Sequence, residues 1–361
     1  MEKQLKNGYK STEVGVIPKE WQVKTIKEIA PLQRGFDLPN RELVTGIYPV
    51  VYSNGIVNYH NKFQAQSPGI VTGRSGTIGK VTYVEENYWP HNTALWVTNF
   101  NNNDSKYIYY LFLKIKLERF ATGSGVPTLN RNDVHDFQIP IPPLKEQKAI
   151  ANALSDADVY ISSLEELIQK KQNIKQATMQ KLLKPKKDWE VKTLGEVADI
   201  KKGQMITESQ TVLGNIPVIA GGMKPSCYHN KSNRKKNTIT ISASGANAGY
   251  VAFHKNEIFA SDCSTIENSN QYNIKFIYFL VLSKQRFIYK LQVGGAQPHI
   301  YPEQIKKIEI SLPPISEQTQ IATILSDMDN ELEILEEKLQ KAEQLKQGMM
   351  QNLLTGKIRL L

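Results

Sequence analysis

Two textures alternate along the chain. Short β-branched and aromatic runs, such as Tyr48–Tyr52, Asn237–Ser242 and Ile308–Leu312, stand between glycine-rich loops and read as brief strands. They fill residues 1–143 and 186–314, and the period then changes. Ile150, Leu154, Ala157, Ile161, Leu164 and Ile168 recur at alternating steps of four and three, and Ile321, Leu325, Met328, Leu332, Leu335, Leu339 and Ala342 repeat the pattern. That spacing predicts two helices, each with one apolar stripe. Pro142-Pro143 and Pro313-Pro314 keep a helix from entering upstream, Ser316 is placed to cap the second helix with Glu317 in its first turn, and Pro185 and Gly356 close the two runs. Helices of roughly 40 residues follow, about 60 Å long at 1.5 Å per residue. Such a stripe cannot be buried by its own helix, and the other stripe, in the same phase, is the economical partner. The expected packing positions are Ile150, Leu154, Ile161, Leu164 and Ile168 against Ile321, Leu325, Leu332, Leu335 and Leu339.

The chain also matches itself. Trp21, Val23, Lys24, Thr25, Glu28 and Ala30 fall on Trp189, Val191, Lys192, Thr193, Glu196 and Ala198, and Tyr109 and Leu111 fall on Tyr278 and Leu280. Pro142, Pro143, Glu146 and Gln147 then fall on Pro313, Pro314, Glu317 and Gln318, and Ile150 to Asp158 matches Ile321 to Asp329 without a gap. This is a tandem duplication, each copy a globular head followed by a helix. The predicted segments are 1–143, 144–185, 186–314 and 315–361. Only Lys184 to Lys187 separate the first helix from the second head, so the second helix is expected to run back antiparallel along the first, with approximate two-fold symmetry. The expected fold class is mixed α/β (α+β), with two tandem globular heads joined by two long antiparallel coiled-coil helices.

Composition narrows the function. A formal charge of +10 and a pI near 9.2 point toward a polyanion. The two cysteines, Cys227 and Cys263, form no CxxC pair, which excludes a disulfide framework and a standard zinc site. No signal peptide or run of eighteen apolar residues is readable, so a cytoplasmic protein without a membrane span is expected. The stretch Gly73-Arg74-Ser75-Gly76-Thr77-Ile78-Gly79-Lys80 looks like a phosphate loop, but its first spacing is one residue too long and Val81 stands where a magnesium-binding hydroxyl is needed. No dinucleotide or S-adenosylmethionine signature and no Asn/Asp-Pro-Pro-aromatic tetrad occurs, and His60, His91, His135, His229, His254 and His299 lack metal-ligand spacing. No catalytic residue and no metal ligand is therefore assigned.

The head loops are rich in groups that donate to phosphates and base edges. Candidate DNA contacts in the first head are Arg34, Arg41, Asn54, Arg74, Ser75, Thr77, Lys80, Asn130 and Arg131. In the second they are Lys201, Lys202, Gln204, Lys224, Asn230, Lys231, Asn233, Arg234, Lys235, Lys236, Asn247, Gln297 and His299. Arginine and lysine suit guanine edges and phosphates, and asparagine and glutamine suit adenine. The flanks and helices match between copies while these loops differ, as two heads reading different sequences would require.

Several motifs together resemble the specificity subunit of type I restriction-modification systems. They are the opening Gly8-Tyr9-Lys10-Ser11-Thr12-Glu13-Val14-Gly15-Val16-Ile17-Pro18 with Trp21, the loop Gly123-Ser124-Gly125-Val126-Pro127, the paired Pro-Pro-x-x-Glu-Gln starts and the closing Leu353-Leu354-Thr355-Gly356. The resemblance implies two target recognition domains, each reading half of a split, asymmetric site in double-stranded DNA, with the helices as a ruler for the unread gap. It also implies two modification (methyltransferase) subunits and restriction (motor and nuclease) subunits as partners. S-adenosylmethionine, ATP and magnesium would then belong to those neighbours, and this chain would hold no cofactor and be non-catalytic by itself. The alternative is a coiled-coil interaction protein or an inactive remnant of such a system.

Overall fold

The computed structural model describes residues 7–123 and 127–360; Ser124, Gly125 and Val126 of the Gly-Ser-Gly-Val-Pro motif lie outside the described residues. The chain forms two compact units: Met1–Glu165 with Lys338–Leu361, and Glu166–Glu337.

In the first unit, the strand Gln22–Thr25 pairs antiparallel with Gln138–Ile141, tying the head's entrance to its exit. Thr25 then opens a one-turn helix by a capping box in which Glu28 bonds back to the Thr25 amide at 2.7 Å. A four-stranded antiparallel sheet runs in the order Leu32–Arg34, Ala94–Val97, Gly69–Gly73, Val81–Val84. Its inner strand Gly69–Gly73 is buried along its whole length, which explains an apolar run without alternation. A second sheet joins Gly55–His60, Tyr48–Tyr52 and Trp89–Pro90, the last pairing parallel. The helix Ser105–Ile115, capped by Asp104, buries Tyr107, Ile108, Leu111, Phe112 and Ile115 against the first sheet, and Trp21, Ile26, Ile29 and Leu32 complete that core.

The second unit repeats this plan. Glu190–Thr193 pairs with Glu309–Leu312, and Thr193 and Glu196 repeat the capping box. The four-stranded sheet runs Ile200–Lys202, Cys263–Ile266, Thr238–Ser242, Val251–His254, and the three-stranded sheet joins Cys227–His229, Ile216–Ile219 and Phe259–Ala260. The helix Ile274–Ser283 is capped by Asn273.

The long helices are Leu144–Leu182 and Ile315–Leu353, 39 residues each. The second starts at Ile315, so Ser316 lies inside its first turn and does not precede it as the expected cap; the Pro314 carbonyl instead accepts from the Glu317 and Gln318 amides, both at 3.0 Å. Pro143 does the same for Glu146 and Gln147. Of the expected packing positions, Ile150, Leu154, Leu164, Ile168, Ile321, Leu325, Leu332 and Leu335 are buried, and Ile161 and Leu339 are half-buried. The first layers serve the heads: Ile150 and Leu154 join the first unit's core, and Ile321 and Leu325 join the second's. In the second unit Lys171 pairs with Glu331 and Lys175 with Asp329, so the partner number falls as the first helix advances, as antiparallel neighbours require. In the first unit Asp158 pairs with Lys346. No helix among the described residues is long and apolar enough to cross a membrane.

Candidate functional site

Gly73-to-Lys80 connects two adjacent antiparallel strands, not a strand and a helix, and this geometry removes the phosphate-loop reading. The connection is tight. A Cβ on Gly73 would fall 1.8 Å from the Thr77 carbonyl oxygen, and Gly79 has φ +78°. The Arg74 and Ser75 amides donate to the Thr93 carbonyl at 3.0 and 3.2 Å, the Leu129 amide donates to the Arg74 carbonyl at 2.8 Å, and the Lys80 ammonium reaches the Asn54 carbonyl at 2.6 Å. These bonds gather Asn54, Arg74, Ser75, Thr77, Lys80 and the neighbouring Asn130 and Arg131 on one rim. The Asn130 side chain is occupied, accepting from the Asn132 amide at 3.1 Å.

Arg34 ends the edge strand at the same rim and pairs with Asp37 at 3.4 Å, to which Asn92 also donates. Next to it the His91 ring packs on Tyr52 with centroids 4.2 Å apart and meets the Thr93 hydroxyl at 3.0 Å. Burial pushes the His91 pKa down, against the opposing pull of Asp37, which keeps the ring neutral and able to both donate and accept. Arg41 stands apart, on the turn Asn40–Glu42 beside Glu42 at 3.5 Å.

The second unit builds the equivalent rim from other residues. The Ala243 amide donates to the Asp262 carbonyl at 3.1 Å, the Ser244 hydroxyl bonds the Asp262 carboxylate, and the Gly245 amide reaches the Pro298 carbonyl at 3.0 Å. Ser244 bridges to His299, whose ring lies parallel to Tyr301 at 6.3 Å. Asn247, Gln297 and His299 therefore converge, and Lys224 joins them on a turn whose Gly221 abuts Ser244. Lys202 and Gln204 approach along the edge strand, where the Gly203 and Gln204 amides donate to the Cys263 and Ala260 carbonyls at 2.8 and 2.9 Å.

Other candidates separate from this rim. Lys201, Lys235 and Lys236 line a 740 Å³ cleft with Asp199 and Glu267. Lys235 and Lys236 precede the strand Thr238–Ser242, whereas the rim follows it. Lys201 is bonded to Glu267 at 3.2 Å. Asn233 and Arg234 turn inward: the Asn233 amide side chain exchanges bonds of 2.9 and 2.6 Å with the Ala260 backbone, and Arg234 donates to the Thr265 hydroxyl and to the Asn233 and Lys202 carbonyls at 2.8 to 2.9 Å. Asn230 and Lys231 follow the strand Cys227–His229 and are exposed.

That last pair exposes a match that composition-based reading passed over. Tyr59-His60-Asn61-Lys62 is identical to Tyr228-His229-Asn230-Lys231, four consecutive residues shared by the two heads. Each histidine is structural. His60 is buried edge-on to Trp89 at 5.3 Å, His229 edge-on to Phe259 at 5.4 Å, and their Nδ1 atoms accept from the Val44 and Val212 amides at 3.2 and 3.0 Å. The repeated glutamines are structural too. Gln147 accepts from the Asp104 amide at 2.9 Å and donates to the Pro142 carbonyl at 3.0 Å; Gln318 does the same with Asn273 and Pro313 at 3.0 and 2.9 Å.

A family model described as the type I restriction modification DNA specificity domain matches residues 18–176 and again 186–344. The chain belongs to this family. Each matched stretch covers most of one head and the greater part of the helix that follows it. The chain is similar to the type I restriction enzyme MjaVIII specificity subunit of Methanocaldococcus jannaschii, with 27% identity over 302 residues covering 71% of each chain. It is also similar to the MjaIX specificity subunit of that organism, at 25% over 259 residues, 58% of this chain and 59% of the relative. Its fold matches the crystal structure of a type I restriction-modification S subunit from M. genitalium with TM-score 0.74 at 19% identity, over 97% of this chain and 98% of the other. The chain is thus a DNA sequence-specificity subunit of the type I restriction-modification kind, and its repeated heads are target recognition domains.

Proposed function

We propose that each recognition domain reads one half of a bipartite, asymmetric site in double-stranded DNA, and that this chain is itself non-catalytic. The observation that carries this is one scaffold with two linings. The same hairpin connection presents Arg74, Ser75, Thr77 and Lys80 in the first domain and Ser244, Asn247 and Tyr250 in the second. The rims share one serine, Ser75 and Ser244, and otherwise carry different donors and acceptors, which suit different base edges. Methyl transfer then falls to two modification subunits and cleavage to restriction subunits in the cytoplasm, with S-adenosylmethionine, ATP and magnesium held by those partners. The two unbroken helices set the unread gap and help dock the modification subunits.

The test pairs the chain with a modification subunit and labelled S-adenosylmethionine. Methylation is expected at one bipartite sequence, and exchanging residues 20–140 for those of another specificity subunit should change one half-site alone. Site choice indifferent to that exchange would refute the reading, and methylation without sequence preference would favour an inactive remnant.

A further inference from the structure

The tetrapeptide Tyr-His-Asn-Lys is shared by two domains whose rims differ. The fold accounts for part of it. His60 and His229 are buried and bonded to Val44 and Val212. The backbones of Asn61 and Asn230 press on Gly46 and Gly214, where an added Cβ would lie 2.4 Å from their Cα atoms. The fold does not account for Tyr59 and Tyr228, which are about half exposed at 49% and 56%, or for Lys62 and Lys231, which are exposed and form no ion pair among the described residues. An exposed residue kept in both copies meets something that both copies meet.

The two half-sites differ in sequence, but the phosphate backbone is the same beside every base. Position agrees with this. The strand Gly55–His60 leaves the rim at Asn54 and carries Tyr59 five residues away, about 17 Å at strand rise. That span exceeds the major-groove width of about 12 Å, so with the rim reading base edges the far end of the strand, with Tyr59 and then Lys62, lies past the groove edge on the side of the flanking phosphates. Cys227–His229 repeats the arrangement after the turn that carries Lys224. The basic net charge fits the same ligand.

We infer that Lys62 and Lys231, each with its tyrosine and asparagine neighbours, are matched sequence-independent anchors for the DNA phosphate backbone, one in each recognition domain. The inference rests on the reading of each domain as a half-site reader. It assigns the shared tetrapeptide to positioning and the unshared rims to selection.

The test measures the binding constant of the complex with modification subunits against salt concentration. The probes are a duplex carrying the methylated site and a duplex of mixed sequence, with the wild type, Lys62→Ala, Lys231→Ala, the double variant and Lys62→Arg. Each alanine should lower the steepness of log K against log salt by about 0.9 on both duplexes. The double variant should lose about twice that, the arginine should restore it, and the methylated sequence should not change. An unchanged salt slope in the double variant, or a changed base preference in either half-site, overturns the anchors. So does weakened capture of the modification subunit at unchanged DNA affinity, which would make the tetrapeptide a protein contact. If the wild type shows no sequence preference, the half-site reading fails, while the mixed-sequence slopes still judge the anchors.

Discussion

The same motif closes both domains, yet the two joints differ in strength. In the first unit the Trp21 indole donates to Glu146 at 2.9 Å, and Arg359 grips the same carboxylate at 2.5 and 2.9 Å while also reaching Glu20 at 2.7 Å. In the second unit Glu317 pairs instead with the exposed Lys186 at 2.5 Å, and the Trp189 indole N–H is buried with no hydrogen-bond partner among the described residues. Hydrogen bonds to Glu146 hold Arg359 charged well beyond the range of ordinary pH. The glutamine of the motif keeps one task in both copies, whereas the glutamate has become the centre of a buried network in only one of them.

Glu146→Ala should therefore cost on the order of 4 kcal/mol, because it leaves the half-buried Arg359 guanidinium with the exposed Glu20 alone and strands the Trp21 indole N–H. Glu317→Ala should cost far less, because its partner Lys186 is exposed. Hydrogen-exchange protection followed separately in the two units measures both, and equal losses would break the contrast. A second contrast appears on acidification. Burial lowers the His254 pKa to about 4, while Val84 holds the equivalent register position in the first unit. The unfolded ring gains its proton below about 6.5 and the folded ring only near 4, so this contribution is intact above pH 6.5 and is lost as pH falls toward 4. It amounts to up to about 3 kcal/mol. His254→Val should flatten the second unit's acid limb in urea titrations at several pH values; an unchanged limb would assign its acid sensitivity to other groups. In the first unit His91 and His135 are also lowered by burial, so that unit weakens in the same direction.

Gln147→Leu and Gln318→Leu should each cost about 2 kcal/mol, and by similar amounts, since each leaves a backbone amide and a proline carbonyl without a partner. Unequal melting shifts would show that the shared bonds carry unequal weight. The tryptophans should differ from each other as the glutamates do. Trp21→Phe loses one bond to a carboxylate and should cost about 2 kcal/mol beyond its packing change, while Trp189→Phe removes no bond and should cost only its packing. A double-mutant cycle with the corresponding glutamate separates the two terms.

The duplication was legible because Trp21, the Pro-Pro-x-x-Glu-Gln starts and the stripe residues fill cores, where shape restricts substitution. The reason for Gln147 was not legible, since it holds the Asp104 amide, the Pro142 carbonyl and the Asn103 side chain, a set that carries no signature. The candidate contacts were legible only as donors. Arg234 and Arg74 look alike in sequence, but Arg234 holds three groups of its own domain while Arg74 stands on a rim. Ser316 failed as a cap because the second proline already supplies the carbonyl that starts the helix. His60 and His229, considered singly, gave no signal; compared as repeat equivalents they mark the shared tetrapeptide.

The far end of the chain completes its beginning. Leu353 and Leu354 sit in the same core as Trp21 and Ile26, and the Tyr9 hydroxyl donates to the Gly356 carbonyl at 2.9 Å. During synthesis the first recognition domain to leave the ribosome must wait for Leu353 and Leu354 before its core can close, whereas the second is encoded as one uninterrupted stretch, Glu166–Glu337. Removal of the residues from Leu353 onward would thus injure the head that lies farthest from them along the chain.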